Sequence, residues 1–169
     1  MSSNLVVLPC DGLRSAPGVQ RPVSDWSGSL TSGQRWEVYQ GNALEKLSVI
    51  ENDSIDCCVT SPPYFWLRDY GDPKQIGMEE SVEEYVQSIG DVMAAVQEVL
   101  KPDGLLFLNL GDTYYSGKGE SQGKDSKSKK RRFGLRAVDK SGGLGIGLQR
   151  KSVIGIPWRV AIHMIQRGW

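Results

Sequence analysis

The spacing of apolar residues divides the chain into predicted strands and helices. Arg35-Trp36-Glu37-Val38-Tyr39-Gln40 alternates, which predicts a short strand. After Gly41, Asn42 is placed to cap a helix on which Ala43, Leu44, Leu47 and Ile50 recur at helical spacing and are expected to face a core. Ile55 to Thr60 is a continuous apolar and β-branched run, as expected of a strand buried on both faces. Ser81-Val82-Glu83-Glu84 has the form of a capping box, with the serine as cap and Glu84 reaching back. It opens an apolar stripe of Val82, Tyr85, Val86, Ile89, Met93, Val96 and Leu100. Lys101-Pro102-Asp103-Gly104 is expected to end that helix and turn the chain, and Leu105 to Leu110 reads as a second buried strand. Strand, long helix and strand in this order predict a parallel pair joined by a right-handed crossover. A last helix starts at Gly155-Ile156-Pro157, with Trp158, Ala161, Ile162 and Ile165 as its expected inner stripe and Gly168 as its stop. His163, the only histidine, falls off that stripe and is given no catalytic role.

Two stretches lack this periodicity. Residues 1–34 are rich in Ser, Gly and Pro and read as a flexible N-terminal tail, with at most a short strand at Leu5–Leu8. Residues 116–151 read as a basic flexible loop rich in Gly, Ser and Lys, inside a domain that runs from 35 to 169. Net charge is zero, yet between Lys118 and Arg136 eight Lys/Arg stand against two acids, so +6 in this stretch offsets −6 elsewhere. That asymmetry suits a polyanionic partner, with Lys129, Lys130, Arg131 and Arg132 as the expected phosphate contacts; a solvated charge run is the plainer alternative. Gly143-Leu144-Gly145-Ile146-Gly147 lacks the spacing of a dinucleotide loop and follows no predicted strand. No apolar run approaches the roughly 20 residues of a membrane span, and no signal pattern opens the chain, so no membrane partner and a cytoplasmic location are expected. Cys10, Cys57 and Cys58 provide neither a disulfide framework nor metal-ligand spacing, and no metal is expected.

Chemistry concentrates where the first buried strand stops. Ser61-Pro62-Pro63-Tyr64 follows Thr60 directly, and two prolines cannot donate to a sheet ladder. They also hold the backbone extended. The resulting stiff loop carries a hydroxyl, carbonyls aimed as acceptors and a flat aromatic ring, at the strand end where open α/β sheets bind ligands. A planar substrate with an exocyclic amine meets all three groups. The loop Phe65 to Lys74 that follows reads either as a flap over a pocket or as apolar packing on the sheet edge, with Trp66 and Tyr70 open to both readings. Asp112, after the second strand, is favoured as a turn cap over a substrate or cofactor ligand.

Thr60-Ser61-Pro62-Pro63-Tyr64 resembles the catalytic motif of amino-directed DNA methyltransferases, which methylate N4 of cytosine or N6 of adenine. Phe65 to Gly71, Gln75-Ile76-Gly77, Asn109 to Tyr114 and Gly155 to Arg159 are similar to further motifs of that family, in the order that places the catalytic motif before the main cofactor motif. The resemblance covers residues 35 to 169 and implies an α/β architecture: a partial Rossmann-like, S-adenosylmethionine-dependent methyltransferase fold with a mostly parallel sheet flanked by helices. It implies Ser61, Pro62, Pro63 and Tyr64 as catalytic residues, and Asn42, Ala43 and Ser61 beside the cofactor, although a helix cap accounts for Asn42 equally well. It also implies double-stranded DNA as partner. Serine at the first tetrad position is more similar to cytosine-N4 than to adenine-N6 members, and a catalytically inactive DNA-binding fragment is the alternative from another class. The family's glycine-rich cofactor motif lies downstream of the segment matched here, so the chain is expected to be the N-terminal part of such an enzyme, with the other half or a partner chain completing it.

Overall fold

The computed structural model describes residues 5–7, 26–115, 149 and 151–169. The basic stretch and the Gly143–Gly147 cluster lie outside these residues. The elements in chain order are strands β1 (Leu5–Val7), β2 (Trp26–Ser29) and β3 (Arg35–Tyr39), helix α1 (Ala43–Leu47), strand β4 (Ile55–Thr60), helix α2 (Val82–Val99), strand β5 (Leu100–Leu108) and helix α3 (Ile156–Gln166). The chain forms two compact units, one of Met1–Ser61 with Asp91–Asn109 and one of Pro62–Gly90 with Leu110–Trp169.

The first unit holds two sheets. β3 lies between β1 and β2, antiparallel to both, and β4 pairs with β5 in parallel. The expectation of a mostly parallel sheet is therefore met only by β4 and β5. Nor does order start at Arg35: β2 precedes it, in a stretch read as tail. Trp-Ser-Gly-Ser has no alternation to announce a strand. It pairs because Gly28 stands opposite Trp36, and a Cβ on Gly28 would come within 2.6 Å of that indole. A glycine that would weaken a strand elsewhere here makes room for the ring across from it. On β3, Glu37 is buried and accepts a hydrogen bond from the Tyr39 hydroxyl, which compensates for its burial.

Asn42 caps α1, its side-chain oxygen accepting from the backbone N–H of Leu44 at 2.9 Å and of Glu45 at 3.5 Å. Leu47 and Ile50 are buried as expected, but Leu44 faces solvent. The turn before β4 is tied to the end of α2: Asp53 and Ser54 donate their backbone N–H groups to the carbonyls of Glu98 and Val99. These are carbonyls that a helix C-terminus leaves without internal partners.

β5 differs from expectation in an informative way. α2 ends at Val99, and Lys101-Pro102-Asp103-Gly104 lies inside the strand as a bulge instead of as a turn before it. Ile55 pairs with Leu100 and Cys57 with Leu105, so β4 advances by two residues while β5 advances by five. Proline suits a bulge because it has no N–H to offer the ladder. Gly104 suits it because a Cβ there would lie 2.9 Å from the Lys101 carbonyl oxygen and 3.1 Å from that of Ile55. The strand ends at Leu108, and one further bond from the Asn109 N–H to the Thr60 carbonyl closes the pair.

The parallel pair is not buried on both faces. Cys57 and Val59 on β4, paired with Leu105 and Phe107 on β5, form one exposed face, on which Val59 is 71% and Phe107 57% accessible. In contrast, every residue of the expected α2 stripe is buried, including Leu100, which the structure assigns to β5.

In the second unit the buried apolar residues include Phe65, Val82, Tyr85, Val86, Ile89, Ile154, Ile156, Val160 and Met164. The inner stripe of α3 is thus Ile156, Val160 and Met164, and the expected stripe of Trp158, Ala161, Ile162 and Ile165 is exposed. Both faces of this helix are apolar at helical spacing, so its sequence does not say which one faces inward. Contact with α2 selects: a Cβ on Gly90 would fall 2.4 Å from His163 Cδ2, so the glycine provides the notch into which the imidazole packs. Arg159 adds an ion pair to Glu83 at 3.5 Å.

Candidate active site

Ser61 closes the first unit at the end of β4, one residue beyond Thr60, and is exposed. Pro62, Pro63 and Tyr64 open the second unit, and the contacts around them are specific. The Tyr85 hydroxyl donates to the Pro63 carbonyl at 2.9 Å. Tyr85 is fully buried (0% accessible), and its ring packs on Phe65 with centroids 5.2 Å apart and planes at 44°. Burial, together with the nearby Glu79 and Tyr64, pushes the Tyr85 hydroxyl well above the usual phenol range, so it stays protonated and remains a donor. Capping holds this tyrosine in register: Ser81 Oγ accepts from the Glu84 N–H, and the Glu84 carboxylate accepts from the Ser81 N–H.

Tyr64 rests on glycine. A Cβ on Gly111 would come within 2.6 Å of Tyr64 Cδ2 and 2.7 Å of its Cε2. A Cβ on Gly77, whose φ is +102°, would come within 2.9 Å of the Tyr64 carbonyl oxygen and 3.2 Å of Pro63 Cβ. The loop that follows is anchored, not loose. Trp66 has a left-handed backbone with φ +51°, donates its N–H to the Gly77 carbonyl at 2.7 Å and its indole N–H to the Glu79 carbonyl at 2.6 Å. Phe65 is buried, whereas Leu67 and Tyr70 are exposed, Tyr70 under the Arg68 guanidinium at 5.9 Å. Both readings of this loop therefore hold in part: its first residues pack and its middle faces outward.

Asp112 is a cap, though not of its own turn alone. Its carboxylate accepts from the Thr113 N–H and also from the N–H groups of Gly155 at 3.1 Å and Ile156 at 3.2 Å, the first residues of α3. An acid at a helix N-terminus is favourable both as a hydrogen-bond acceptor and against the helix dipole. Backbone bonds between Tyr115 and Ser152, Lys151 and Tyr115, and Ile154 and Thr113 join the same two segments.

Of the residues implied for the cofactor, Asn42 and Ala43 lie at the start of α1 and Ser61 at the end of β4. The Asn42 side-chain oxygen is engaged in capping, so only the rest of that residue is left for a ligand. Lys129, Lys130, Arg131 and Arg132 lie outside the described residues. Among the described residues no group of three or more His, Cys, Asp or Glu could hold a metal ion, and no helix is long and apolar enough to cross a membrane. Sequence reasoning missed Tyr85, Gly77 and Gly111. Tyr85 was legible only as part of an apolar stripe, and the two glycines carried no signal beyond their place in motif-like stretches.

A profile of the DNA methylase family, of the N6/N4 type, matches residues 55–166. The chain is 39% identical over 133 residues to the Type II methyltransferase M.SmaI of Serratia marcescens, covering 79% of this chain and 44% of that protein. It is 39% identical over 132 residues to M.XycI of Xanthomonas campestris pv. cyanopsidis, covering 78% and 42%, and 37% identical over 132 residues to M.Cfr9I of Citrobacter freundii, also covering 78% and 42%. No solved structure matches. The chain thus spans less than half the length of these relatives. With the profile covering the tetrad, α2, the parallel pair and α3, the chain belongs to the amino-directed DNA methylase family.

Proposed function

We propose that this chain carries the catalytic motif of a DNA methyltransferase that transfers a methyl group from S-adenosylmethionine to the N4 amine of cytosine in double-stranded DNA. The family uses that methyl donor. The observation that carries the reading is Ser61-Pro62-Pro63-Tyr64 directly after the parallel strand β4, with serine in first position. A base inside a duplex is out of reach, so the target must leave the stack. Tyr64 offers a face for the extruded base. Ser61 Oγ and the Pro62 carbonyl accept hydrogen bonds from the amine, which makes its nitrogen lone pair more available. With the methyl donor bound, that nitrogen would form a bond to the methyl carbon as the carbon–sulfur bond broke, the sulfur would leave as a neutral thioether, and the amine would pass its proton to solvent. No covalent enzyme intermediate is needed, and rate comes from positioning and polarisation.

When bound, S-adenosylmethionine supplies an electrophilic methyl group. Ala43 and the nitrogen side of Asn42, with Ser61, are the residues of this chain that would hold it. The strand-to-helix turn at Gln40-Gly41-Asn42 has a single glycine, fewer than the glycine-rich turn that lets a backbone approach such a cofactor closely. Lys129, Lys130, Arg131 and Arg132 contact DNA phosphates and make binding steeply salt-dependent. The Type II relatives suggest a restriction–modification setting.

The test is to incubate the chain with S-adenosylmethionine and duplex DNA, digest the DNA and identify the modified nucleoside. N4-methylcytosine supports the reading, and N6-methyladenine replaces it with the adenine-directed alternative. Salt-sensitive DNA binding without cofactor binding or methylation replaces it with a DNA-binding fragment. Ser61→Ala should reduce turnover far more than DNA affinity; unchanged turnover would remove Ser61 from the mechanism.

A further inference from the structure

We propose that Tyr85 and Gly111 are the positioning residues of the tetrad: the Tyr85 hydroxyl holds the Pro63 carbonyl, and the bare Cα of Gly111 sets the resting place of the Tyr64 ring. The proposal rests on the reading that Tyr64 and the prolyl carbonyls receive the target base. Two prolyl carbonyls stand in sequence at this loop, and chemistry alone does not say which one accepts from an amine. The hydrogen bond of 2.9 Å from Tyr85 occupies one lone pair of the Pro63 carbonyl and fixes its direction, which favours the Pro62 carbonyl as the acceptor for substrate. The donor is fixed on three sides. α2 carries it at 0% accessibility, Phe65 packs on its ring, and the Ser81–Glu84 capping box sets the start of its helix.

Gly111 acts on the ring directly. The 2.6 Å approach that a Cβ would make to Tyr64 Cδ2 is inside any real carbon–carbon contact, so the ring would retreat by roughly 1 Å to reach ordinary van der Waals distance. The main chain of the residue is also closely packed, since a Cβ on Gly77 would meet the Tyr64 carbonyl oxygen at 2.9 Å and Pro63 Cβ at 3.2 Å. Pro63 and Tyr64 are therefore in close contact with Tyr85, Gly77 and Gly111, groups that take no part in the chemistry. A displacement of this size in a group that orients a reacting atom costs roughly a hundredfold in rate.

The experiment compares the full chain with Tyr85→Phe and Gly111→Ala, each labelled with carbon-13 in the tyrosine rings, with Tyr64→Phe used for assignment. Tyr85→Phe keeps the buried ring and removes only the hydroxyl. The expected result is displaced Tyr64 ring resonances in both variants, with those of Tyr39 and Tyr70 unmoved. In methylation assays kcat should fall roughly tenfold for Tyr85→Phe and roughly a hundredfold for Gly111→Ala, with KM for DNA within about twofold of the parent chain. Should Gly111→Ala not fold, Tyr85→Phe decides alone. Tyr64 resonances that stay in place overturn the proposal. If the parent chain transfers no methyl group, the proposed function fails, while the Tyr64 resonances still decide the positioning roles.

Discussion

Two apolar surfaces of similar sequence character end in opposite environments. The stripe of α2, from Val82 through Tyr85, Ile89, Met93 and Val96, is sealed from solvent, while the face of the parallel pair made by Cys57, Val59, Leu105 and Phe107 is open. A helix can bury one stripe and leave the rest polar, so its pattern declares its own partner side. A parallel strand has apolar residues on both faces because both are normally covered, and its pattern cannot say whether a cover is present. The difference teaches that the α2 stripe already contributes its burial to the stability of the described chain, whereas the open strand face holds apolar area whose burial would add to it.

That contrast can be broken by substitution. Ile89→Ala should cost about 2–5 kcal/mol, read as a fall in the urea midpoint, because it leaves a cavity in a sealed site. A smaller loss would mean the stripe is loosely packed. The sealed side also contains a titration. The folded chain holds Tyr85 protonated above its unfolded value of about 10, so its contribution is complete below about pH 10 and is lost as pH rises beyond it. Stability should therefore drop above about pH 10 in the parent and drop less in Tyr85→Phe, followed by circular dichroism against pH. Ser81→Ala removes one arm of the capping box and should cost about 1 kcal/mol. At the other end of the scale, Phe107→Ser on the open face should change stability by no more than about 0.5 kcal/mol while raising solubility. A cost above about 2 kcal/mol there would show that the face is covered in solution and would collapse the comparison.

The same contrast explains what the sequence disclosed. The α2 stripe and its capping box were legible because both are local, decided within a few turns of one helix. The parallel pairing of β4 and β5 was legible from two apolar runs flanking a long helix. The inner face of α3 was not, since Ile156-Val160-Met164 and Trp158-Ile162-Ile165 share helical spacing and only contact with Gly90 of α2 selects between them. β2 was missed because its pairing depends on Trp36 finding a glycine across the ladder, a fact about two strands and not one. Lys101–Gly104 reads as a turn in the sequence and is a bulge in the strand, because proline and glycine announce both. At the site, Ser61-Pro62-Pro63-Tyr64 was legible because consecutive prolines act on their own backbone. Tyr85, Gly77 and Gly111 were not, because they act on the tetrad from elsewhere in the chain.

The bonds that join 112–115 to 151–156 have a consequence for how such a chain can change. Asp112 holds Gly155 and Ile156, and the backbone bonds of Thr113 and Tyr115 hold Ile154, Lys151 and Ser152, so the two ends of the intervening stretch are fastened whatever lies between them. Asp112 and the start of α3 must therefore change together, although 43 residues separate Asp112 from Gly155 along the chain.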